Sequence, residues 1–420
     1  MATILFASLF VTLFLGIPIG VCMGFAVLAT ILISGSTIPP YVIAQRMFTS
    51  VDNFVFMAVP FFIYAGEIMQ KGGISQKLVG FARVLLGGVP AGLSVITTVS
   101  SGFFGAISGS NPATVAAIGG VMVPKMKEAG YPVDRAAAIA AASGTLGVVI
   151  PPSISMITYA MVGGVSVTTM FACGLLPGVL MALCISGLNM LLCRKYEAPV
   201  PRPSMTEFWI ALKEAIWALM MPVIILGGIY GGIFTPTEAA AVSCVYSFIV
   251  SKYVYKELGW KDMYGITVKA AISTALVLFI VALASPFSWL MTSTGIPGQI
   301  TKALLGVFDN RYILLLMINF VLLFFGCFLE TQSIILLLTP MLLPLASTLG
   351  LHPVALGVIM VINTSIGMIT PPMAVNLFVA SGISGVSIPH ITQRIIPYFV
   401  LLVGLILLFT YFPRIITVFA

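Results

Sequence analysis

Apolar residues follow one another in long runs along most of this chain, and short polar stretches separate the runs. A helix needs about 20 mostly apolar residues to cross a bilayer core of about 30 Å, whereas strands of a membrane barrel alternate over about ten residues. The runs are of the helical kind, so the pattern predicts an all-α polytopic membrane protein. We predict single helices at 4–33, 54–70, 168–193, 207–234, 237–253, 265–293 and 391–413.

The remaining segments do not fit a simple crossing. Residues 74–88 and 295–308 are too short to span, and we expect them to lie on the surface as two arms. We also expect residues 39–52 to form a short interfacial segment. Residues 90–127 and 311–345 each hold two short apolar stretches, split at Ser108–Pro112 and at Glu330–Ser333. We interpret each as a re-entrant hairpin with a polar tip near the middle of the bilayer. Residues 194–206 form the clearest linker.

Two further helices are expected to be broken. The helix at 133–163 is interrupted at Gly147–Pro152 and the helix at 354–381 at Gly367–Pro372. The glycine and the two prolines of the first break recur in the second at one constant offset, and Pro124 and Pro344 stand at that same offset. A hydrophobic chain built as two copies, each with a broken helix, is typical of a secondary transporter. A proline kink that only shapes packing is the alternative for either break alone.

Charge then gives an orientation. The chain is 60% hydrophobic and 7% charged, with a mean hydropathy of +1.15, and its net charge of +7 reports topology and does not indicate nucleic acid. The segments above place 15 of the 19 Lys and Arg residues on the face of the N-terminus. Cytoplasmic loops carry excess Lys and Arg, so we predict a cytoplasmic N-terminus, a periplasmic C-terminus and two inverted repeats.

The polar groups of the breaks and tips suit ion binding. Prolines free backbone carbonyls, which suit a cation such as Na⁺, and the N-terminus of the next half-helix suits an anion. Hydroxyl and amide oxygens at the tips are ligands for hard cations, although such tips also serve as plain capping turns. The first predicted Na⁺ site comprises Ser108, Ser110, Asn111, Gly144, Gly147 and Ile150. The second comprises Glu330, Thr331, Ser333, Thr364, Gly367 and Thr370.

One substrate site is expected between the two cation sites. Its predicted residues are Ser110, Asn111, Pro152, Ser153, Gln332 and Pro372. No arginine falls within a central segment, so an anion would be held by helix N-termini, hydroxyls, amides and bound cations. Glu330 is expected to ligate a cation, carry a proton or pair with a buried donor. Glu67, Glu238 and Asp52 are expected at the interface.

At this point the chain resembles the large membrane subunit of a tripartite ATP-independent periplasmic (TRAP) transporter. The most specific segment is Gly231–Ala241, which reads GGIFTPTEAAA. Supporting segments are Ala58–Phe62 with Gly72–Ile74, Ser108–Ser110 with Ala113–Gly119, and Gly144–Gly147 with Ile150–Ser153. The resemblance covers essentially the whole chain.

The resemblance implies a fold similar to the ion-transporter superfamily and an elevator movement of one domain against a scaffold. The moving transport domain would comprise 90–163 and 311–381, and the scaffold 1–89, 164–310 and 382–420. It also implies a small four-helix membrane subunit, a periplasmic substrate-binding protein and the bacterial inner membrane. Uptake would be Na⁺-driven, with at least two Na⁺ and a carboxylate substrate such as a C4-dicarboxylate, sialic acid or another sugar acid.

Other functions fit less well. A stand-alone Na⁺/dicarboxylate symporter would share the hairpins and broken helices, but the Gly231–Ala241 segment favours the tripartite type. An intramembrane enzyme would need facing catalytic residues, and neither His352 nor His390 reaches the middle of the membrane in this layout. A channel would need an open pore, whereas two facing tips predict occlusion. The six cysteines show no C-x-x-C pair and are expected to pack as small apolar residues.

Overall fold

The protein is described from a computed structural model that covers residues 1–35, 37–86, 88–196, 203–308 and 310–420. These residues form helices and connecting turns, with no strand among them. The helices are α1 Ala2–Phe14, α2 Ile19–Ile33, α3 Tyr41–Val51, α4 Ala58–Lys71, α5 Ile74–Leu85, α6 Gly92–Ser108, α7 Asn111–Thr114 continued by a π-helical turn Val115–Gly119 and by Gly120–Glu128, α8 Val133–Gly144, α9 Ile154–Gly163, α10 Val167–Cys193, α11 Met205–Tyr230, α12 Pro236–Ile249, α13 Trp260–Ser293, α14 Ile296–Val307, α15 Arg311–Gly326, α16 Thr331–Thr348, α17 Pro353–Gly367, α18 Val375–Ser384 and α19 Ile388–Tyr411. Most predicted segments are confirmed to within a few residues, while the middle of the predicted linker, 197–202, lies outside the described residues.

The prediction of a single helix over 4–33 is wrong. Gly16, at φ +79°, and Pro18 end α1 and start α2, because glycine adopts the left-handed conformation easily and proline cannot continue a helix. Two helices of 13 and 15 residues are each shorter than the bilayer core, at about 1.5 Å per residue. They pack against each other along their length.

The contacts of this pair with α13 show its direction. Gly20 and Gly24 of α2 lie against Ile280 and Leu283, so α2 runs toward the Ser293 end of α13. Phe6 of α1 meets Phe287, nearer that end, with ring centroids 6.5 Å apart. The α1–α2 pair therefore enters and leaves at the same end of the molecule. The N-terminus lies at the Ser293 end of α13.

By length and composition, six of the described helices are able to cross a membrane. They are Phe54–Lys71, which adds a 3₁₀ turn to α4, and Val167–Cys193, Met205–Tyr230, Trp260–Ser293, Thr331–Thr348 and Ile388–Tyr411. The other apolar helices are shorter, as expected for half-helices and hairpin arms.

The first hairpin turns where the sequence predicts, and the second turns about three residues earlier than predicted. The first consists of α6 and α7, and its chain reverses at Gly109, which has a φ of +58°, before Pro112 helps to start α7. The second consists of α15 and α16, joined by residues 327–330. In each hairpin the two arms pack against each other.

The breaks in the two long helices are also confirmed. The first broken helix consists of α8, a 3₁₀ turn Thr145–Gly147, a non-helical stretch, and α9, which Ser153 caps. The second consists of α17 and α18, separated by residues 368–374. The Pro151–Pro152 and Pro371–Pro372 peptide bonds are both cis.

A close glycine contact joins each hairpin to its broken helix. A Cβ on Gly105 would lie 2.9 Å from the Cα of Gly147, and a Cβ on Gly326 would lie 3.0 Å from the Cα of Gly367. Gly326 and Gly367 are the second-copy counterparts of Gly105 and Gly147 in the repeat seen in the sequence. The backbones approach this closely because neither partner has a side chain.

The predicted domain boundaries at 163/164 and 381/382 do not follow the packing. Helix α10 packs mainly along α6 and also on α9, and α19 packs along α8 and α17, so both belong with the hairpins and broken helices. In contrast, α13 packs along α2, α3 and α4, and α12 packs along α4. Burial of the apolar faces of α10 and α19 against the broken helices decides this grouping.

Candidate functional site

A cavity of about 240 Å³ lies where the two hairpin tips meet. One wall is formed by the tips and the start of α9, and the opposite wall by α4 and α13. The polar lining residues are Ser108, Ser110, Asn111, Ser155, Glu330, Thr331 and Gln332 on the first wall, and Glu67, Gln70 and Ser273 on the second. Six residues predicted from the two tips therefore share one cavity.

The first tip is held by a small hydroxyl network. Ser108 Oγ and Thr114 Oγ1 are 3.1 Å apart, and Thr114 Oγ1 donates to the carbonyl oxygen of Ser110 at 2.8 Å. Gly66 of α4 leaves room for the tip, since a Cβ there would lie 3.5 Å from the Cα of Ser108. The tip is thus fixed in shape and touches the opposite wall directly.

Asn111 bonds to both broken helices. Its Oδ1 accepts from the backbone N–H of Val148 at 2.9 Å, and its Nδ2 donates to Ser365 Oγ at 2.8 Å. Ser365 in turn donates to the carbonyl of Thr145, its counterpart in the first copy. Asn111 is fully buried, so its amide acts first as a brace between the two copies and not as an uncommitted ligand.

The second tip makes the corresponding cross-connection. Gln332, the second-copy counterpart of Asn111, donates from Nε2 to Ser155 Oγ at 3.3 Å, at the start of α9. Its Oε1 is buried and has no hydrogen-bond partner within the described chain. Each tip therefore lies against the broken helix of its own copy, as the sequence predicts, and also reaches the broken helix of the other copy.

The backbone carbonyls of the two predicted cation sites are not equivalent. In the second site the carbonyl of Thr364 accepts from Met368 N at 3.2 Å, and that of Gly367 accepts from Thr370 N at 2.9 Å. In the first site, the described hydrogen bonds leave the carbonyls of Gly147 and Ile150 without a donor. Freed carbonyls in a membrane interior need protein, water or an ion, and the first break offers two of them where the described hydrogen bonds of the second leave that of Thr370.

The other predicted residues lie behind the cavity or away from it. Ser153 caps α9, Pro152 packs its carbonyl near Gly109, Gly144 contacts Val115, and Ser333 is buried in α16. Pro372 lies on an exposed turn outside the cavity lining, so its assignment to the substrate site is not supported by this geometry.

Sequence reasoning missed the α4–α13 wall. Glu67 lines the cavity, and its Oε2 lies 2.8 Å from Lys269 Nζ, which also donates to Gln70 Oε1 at 3.4 Å. The signal was an acidic residue inside an apolar helix, which we assigned to the interface. Glu238, in contrast, forms a capping box with Thr235 at the exposed start of α12.

Three helices begin at the cavity. Asn111 starts α7, Ile154 starts α9 and Thr331 starts α16, and each of these residues lines it. Helix N-termini carry unpaired N–H groups and a partial positive charge, which favour an anion. Among the described lining residues there is no lysine or arginine.

Comparison with known proteins gives one family. The sequence model of the "Tripartite ATP-independent periplasmic transporter, DctM component" matches residues 6–415. The chain is 42% identical to the isethionate TRAP transporter permease protein DctMQ of Oleidesulfovibrio alaskensis, over 99% of this chain and 66% of that protein. It is 37% identical to the C4-dicarboxylate TRAP transporter large permease protein DctM of Rhodobacter capsulatus, over 99% of this chain and 97% of that protein.

Among solved structures, the fold is similar to that of the Alcanivorax borkumensis YdaH transporter. The TM-score is 0.65 at 16% sequence identity, and the match covers 88% of this chain and 87% of that one. At this identity the likeness concerns the fold alone.

Proposed function

Since the chain belongs to the DctM component family of TRAP transporters, we propose that it imports a small organic anion by Na⁺-coupled symport through the cavity between its hairpin tips. The family consists of transporter permeases for organic acids and not of enzymes. The family resemblance identified from the sequence is thereby confirmed.

The convergence of three helix N-termini on a cavity without basic residues in its described lining carries the proposal. An anion held by backbone N–H groups and hydroxyls binds without a fixed cationic partner. Its charge is then offset by ions that bind and leave with it. This arrangement favours symport of an anion with Na⁺ over a channel.

We place the first Na⁺ beside the freed carbonyls of Gly147 and Ile150, with oxygens from Ser108 and Ser110 nearby. Oxygen ligands of this kind suit a hard cation. We place the second Na⁺ near Glu330 and Thr331, because Glu330 lines the cavity and forms no ion pair with the described residues. Of the remaining residues predicted for this second site, Thr364, Gly367 and Thr370 belong to the broken helix, and Ser333 is buried in α16.

We further propose that the hairpins and broken helices move as one body against α4, α12 and α13. Helices α10 and α19 pack on the broken helices, so in this proposal they move with that body. The cavity between the tips and the α4–α13 wall is then the boundary across which the substrate is carried.

The path of α1 and α2 changes the proposed orientation of the chain in the membrane. Because α1 and α2 enter and leave on one face, the N-terminus moves to the face opposite the one predicted. Residues 1–33 contain no Lys or Arg, so the distribution of the 19 basic residues between the two faces does not change. The face that carries 15 of the 19 basic residues is then opposite the N-terminus. We propose periplasmic N- and C-termini, with the two copies inverted relative to each other in a bacterial inner membrane.

The family name states a tripartite assembly, and its large permeases work with a small permease and a periplasmic binding protein. The DctMQ relative is about half as long again as this chain, which spans 66% of it. We propose that this chain works with a small membrane subunit of about four helices. A stand-alone Na⁺/dicarboxylate symporter is the alternative.

Uptake into proteoliposomes that contain this chain and its small subunit tests the proposal. An inward Na⁺ gradient together with the binding protein should drive uptake, and removal of either should abolish it. Ser110→Ala and Pro151→Ala should reduce Na⁺-dependent uptake without preventing membrane insertion. Na⁺-driven uptake without a binding protein would establish the stand-alone symporter, and uptake indifferent to Na⁺ would contradict the proposal.

A further inference from the structure

We infer that Glu67 selects the charge of the transported anion, so that the cavity prefers a small anion with one acidic group and a hydroxyl-bearing remainder over a dicarboxylate. This inference rests on the proposed function, because it concerns the anion held in the same cavity. It adds a residue of the α4–α13 wall to a site otherwise built from the hairpin tips.

The two walls of the cavity have opposite electrostatic character. Apart from Glu330, beside which we place the second Na⁺, the tip wall presents the N-termini of α7, α9 and α16, which favour an acidic group. The same wall holds Gln332, 6% exposed, whose Oε1 has no hydrogen-bond partner in the described chain. A buried acceptor of this kind is satisfied by a ligand donor such as a hydroxyl, or by a cation.

Glu67 faces this wall from α4. Its side chain is 15% exposed, and only its Oε2 is used, by Lys269 at 2.8 Å. Lys269 is 61% exposed and is not among the described lining residues, so solvent screens its charge and it offsets that of Glu67 only in part. The other carboxylate oxygen of Glu67 remains available to accept from a substrate hydroxyl.

A second carboxylate on the substrate would meet the carboxylate of Glu67 in the same small cavity. Like charges repel strongly where water is scarce, and no lysine or arginine of the described lining offsets them. Rejection by an unfavourable charge is an effective means of specificity. The volume of about 240 Å³ is also below the range of about 300–1,000 Å³ of sites for drug-sized ligands, which indicates a molecule of few atoms.

The test compares two three-carbon anions, glycerate and malonate, on the full chain purified with its small subunit in detergent and Na⁺. Dissociation constants come from the increase of the melting temperature with ligand concentration. Glycerate should bind at least about tenfold more tightly than malonate, which corresponds to about 1.4 kcal/mol. Glu67→Gln should reduce this ratio several-fold by strengthening malonate binding.

Two variants separate charge selection from a structural role. Glu214 also pairs with a lysine, Lys77 at 3.2 Å, but lies outside the cavity, so Glu214→Gln should leave the ratio unchanged. Lys269→Gln removes the partner of Glu67 and should raise the ratio, opposite to Glu67→Gln. If the Glu67–Lys269 ion pair had only a structural role, Glu67→Gln and Lys269→Gln would change the binding ratio in the same direction.

Equal binding of glycerate and malonate by the wild-type protein would overturn this inference alone. An unchanged ratio in folded Glu67→Gln protein would do the same, and if that variant does not fold, the direction of the Lys269→Gln effect decides. Absence of stabilisation by any anion in Na⁺ would overturn the proposed function and this inference together.

Discussion

Each copy joins its hairpin, its broken helix and the helix that follows through a buried trio of hydrogen-bonded side chains, and the two trios differ in composition. In the first copy Thr98 bonds to Ser143 at 2.9 Å and to Asn189 at 2.9 Å. In the second copy Asn319 occupies the position of Thr98, and it bonds to Asn363 at 2.8 Å and to Thr410 at 3.0 Å. All three pairs of equivalent positions follow the offset that relates the two copies in the sequence, to within one position.

The comparison shows that the position of a hydrogen bond is retained while its residue types change. In the first copy the amide side chain, Asn189, lies on the last of the three helices. In the second copy the amide side chains, Asn319 and Asn363, lie on the first two. Such a network needs matched donors and acceptors, and an amide supplies both from any of the three positions. Only the first trio extends further among the described residues, because Tyr398 of α19 donates to Asn189.

The two hairpin tips also differ in the hydrogen bonds that their amide side chains make. Asn111 uses both ends of its amide, whereas Gln332 uses only its nitrogen. The first tip is therefore the more firmly braced, and the second has an acceptor to offer to a ligand.

Removal of the Asn111 brace should have the largest effect. Asn111→Ala leaves Val148 N–H without its acceptor and removes one of the two hydrogen bonds of Ser365, and a buried group orphaned in this way costs about 1–3 kcal/mol. We expect a lower melting temperature and a loss of Na⁺-dependent uptake. Gln332→Ala, which removes one bond of 3.3 Å, should keep the melting temperature and weaken substrate binding. Equal effects of the two variants would show that the tips are equivalent.

Alanine at the glycine contacts should come next. A Cβ on Gly147 would lie 2.5 Å from the carbonyl oxygen of Ser110, and one on Gly367 would lie 2.4 Å from the backbone of Gly326. Overpacking of this kind costs about 1–3 kcal/mol, and we expect it equally in both copies. The measurement is the melting temperature of the purified protein, with Gly187→Ala, which meets nothing within 4 Å, as the control. Tolerance at one position would mean that only one copy needs the contact.

Exchange of residues between the trios should have a smaller effect. Asn189→Thr alone should destabilise the protein by about 0.6–1.7 kcal/mol, the range measured for hydrogen bonds between membrane helices. The added change Thr98→Asn recreates the Asn–Thr pair formed by Asn319 and Thr410 in the second copy, with Ser143 unchanged, and should restore part of the melting temperature. Ser100→Ala serves as the control, because its buried hydroxyl has no partner in the described chain. A double variant no better than the single one would contradict the equivalence of the trios.

The smallest effect is expected for an ion pair that joins the two copies and has no equivalent at the corresponding positions. Arg394 Nε lies 2.7 Å from Asp134 Oδ2, whereas the position equivalent to Asp134 holds Val354. Half-exposed pairs contribute about 0.2–1 kcal/mol and are screened by salt. Asp134→Asn should lower the melting temperature slightly at low salt and not at high salt. A large effect that persists in salt would assign this pair a structural role that the packing does not show.

The sequence by itself determined the helical class, the two copies, both hairpin turns and both breaks. These follow from local causes, since proline and glycine interrupt a helix wherever they stand and run length limits what can cross a bilayer. It also identified six of the residues that share the cavity. Local signals failed at Gly16–Pro18, which we interpreted as part of one continuous apolar run although the same two residue types mark the other breaks.

Only the tertiary structure decided which segments touch. It showed that Asn111 bonds to both broken helices, packed α10 and α19 against the hairpins and broken helices, and brought Glu67 from α4 to face two tips that lie far from it in the sequence. These relations depend on how buried faces match across the fold, and hydropathy along a chain carries no information about which partner a face meets.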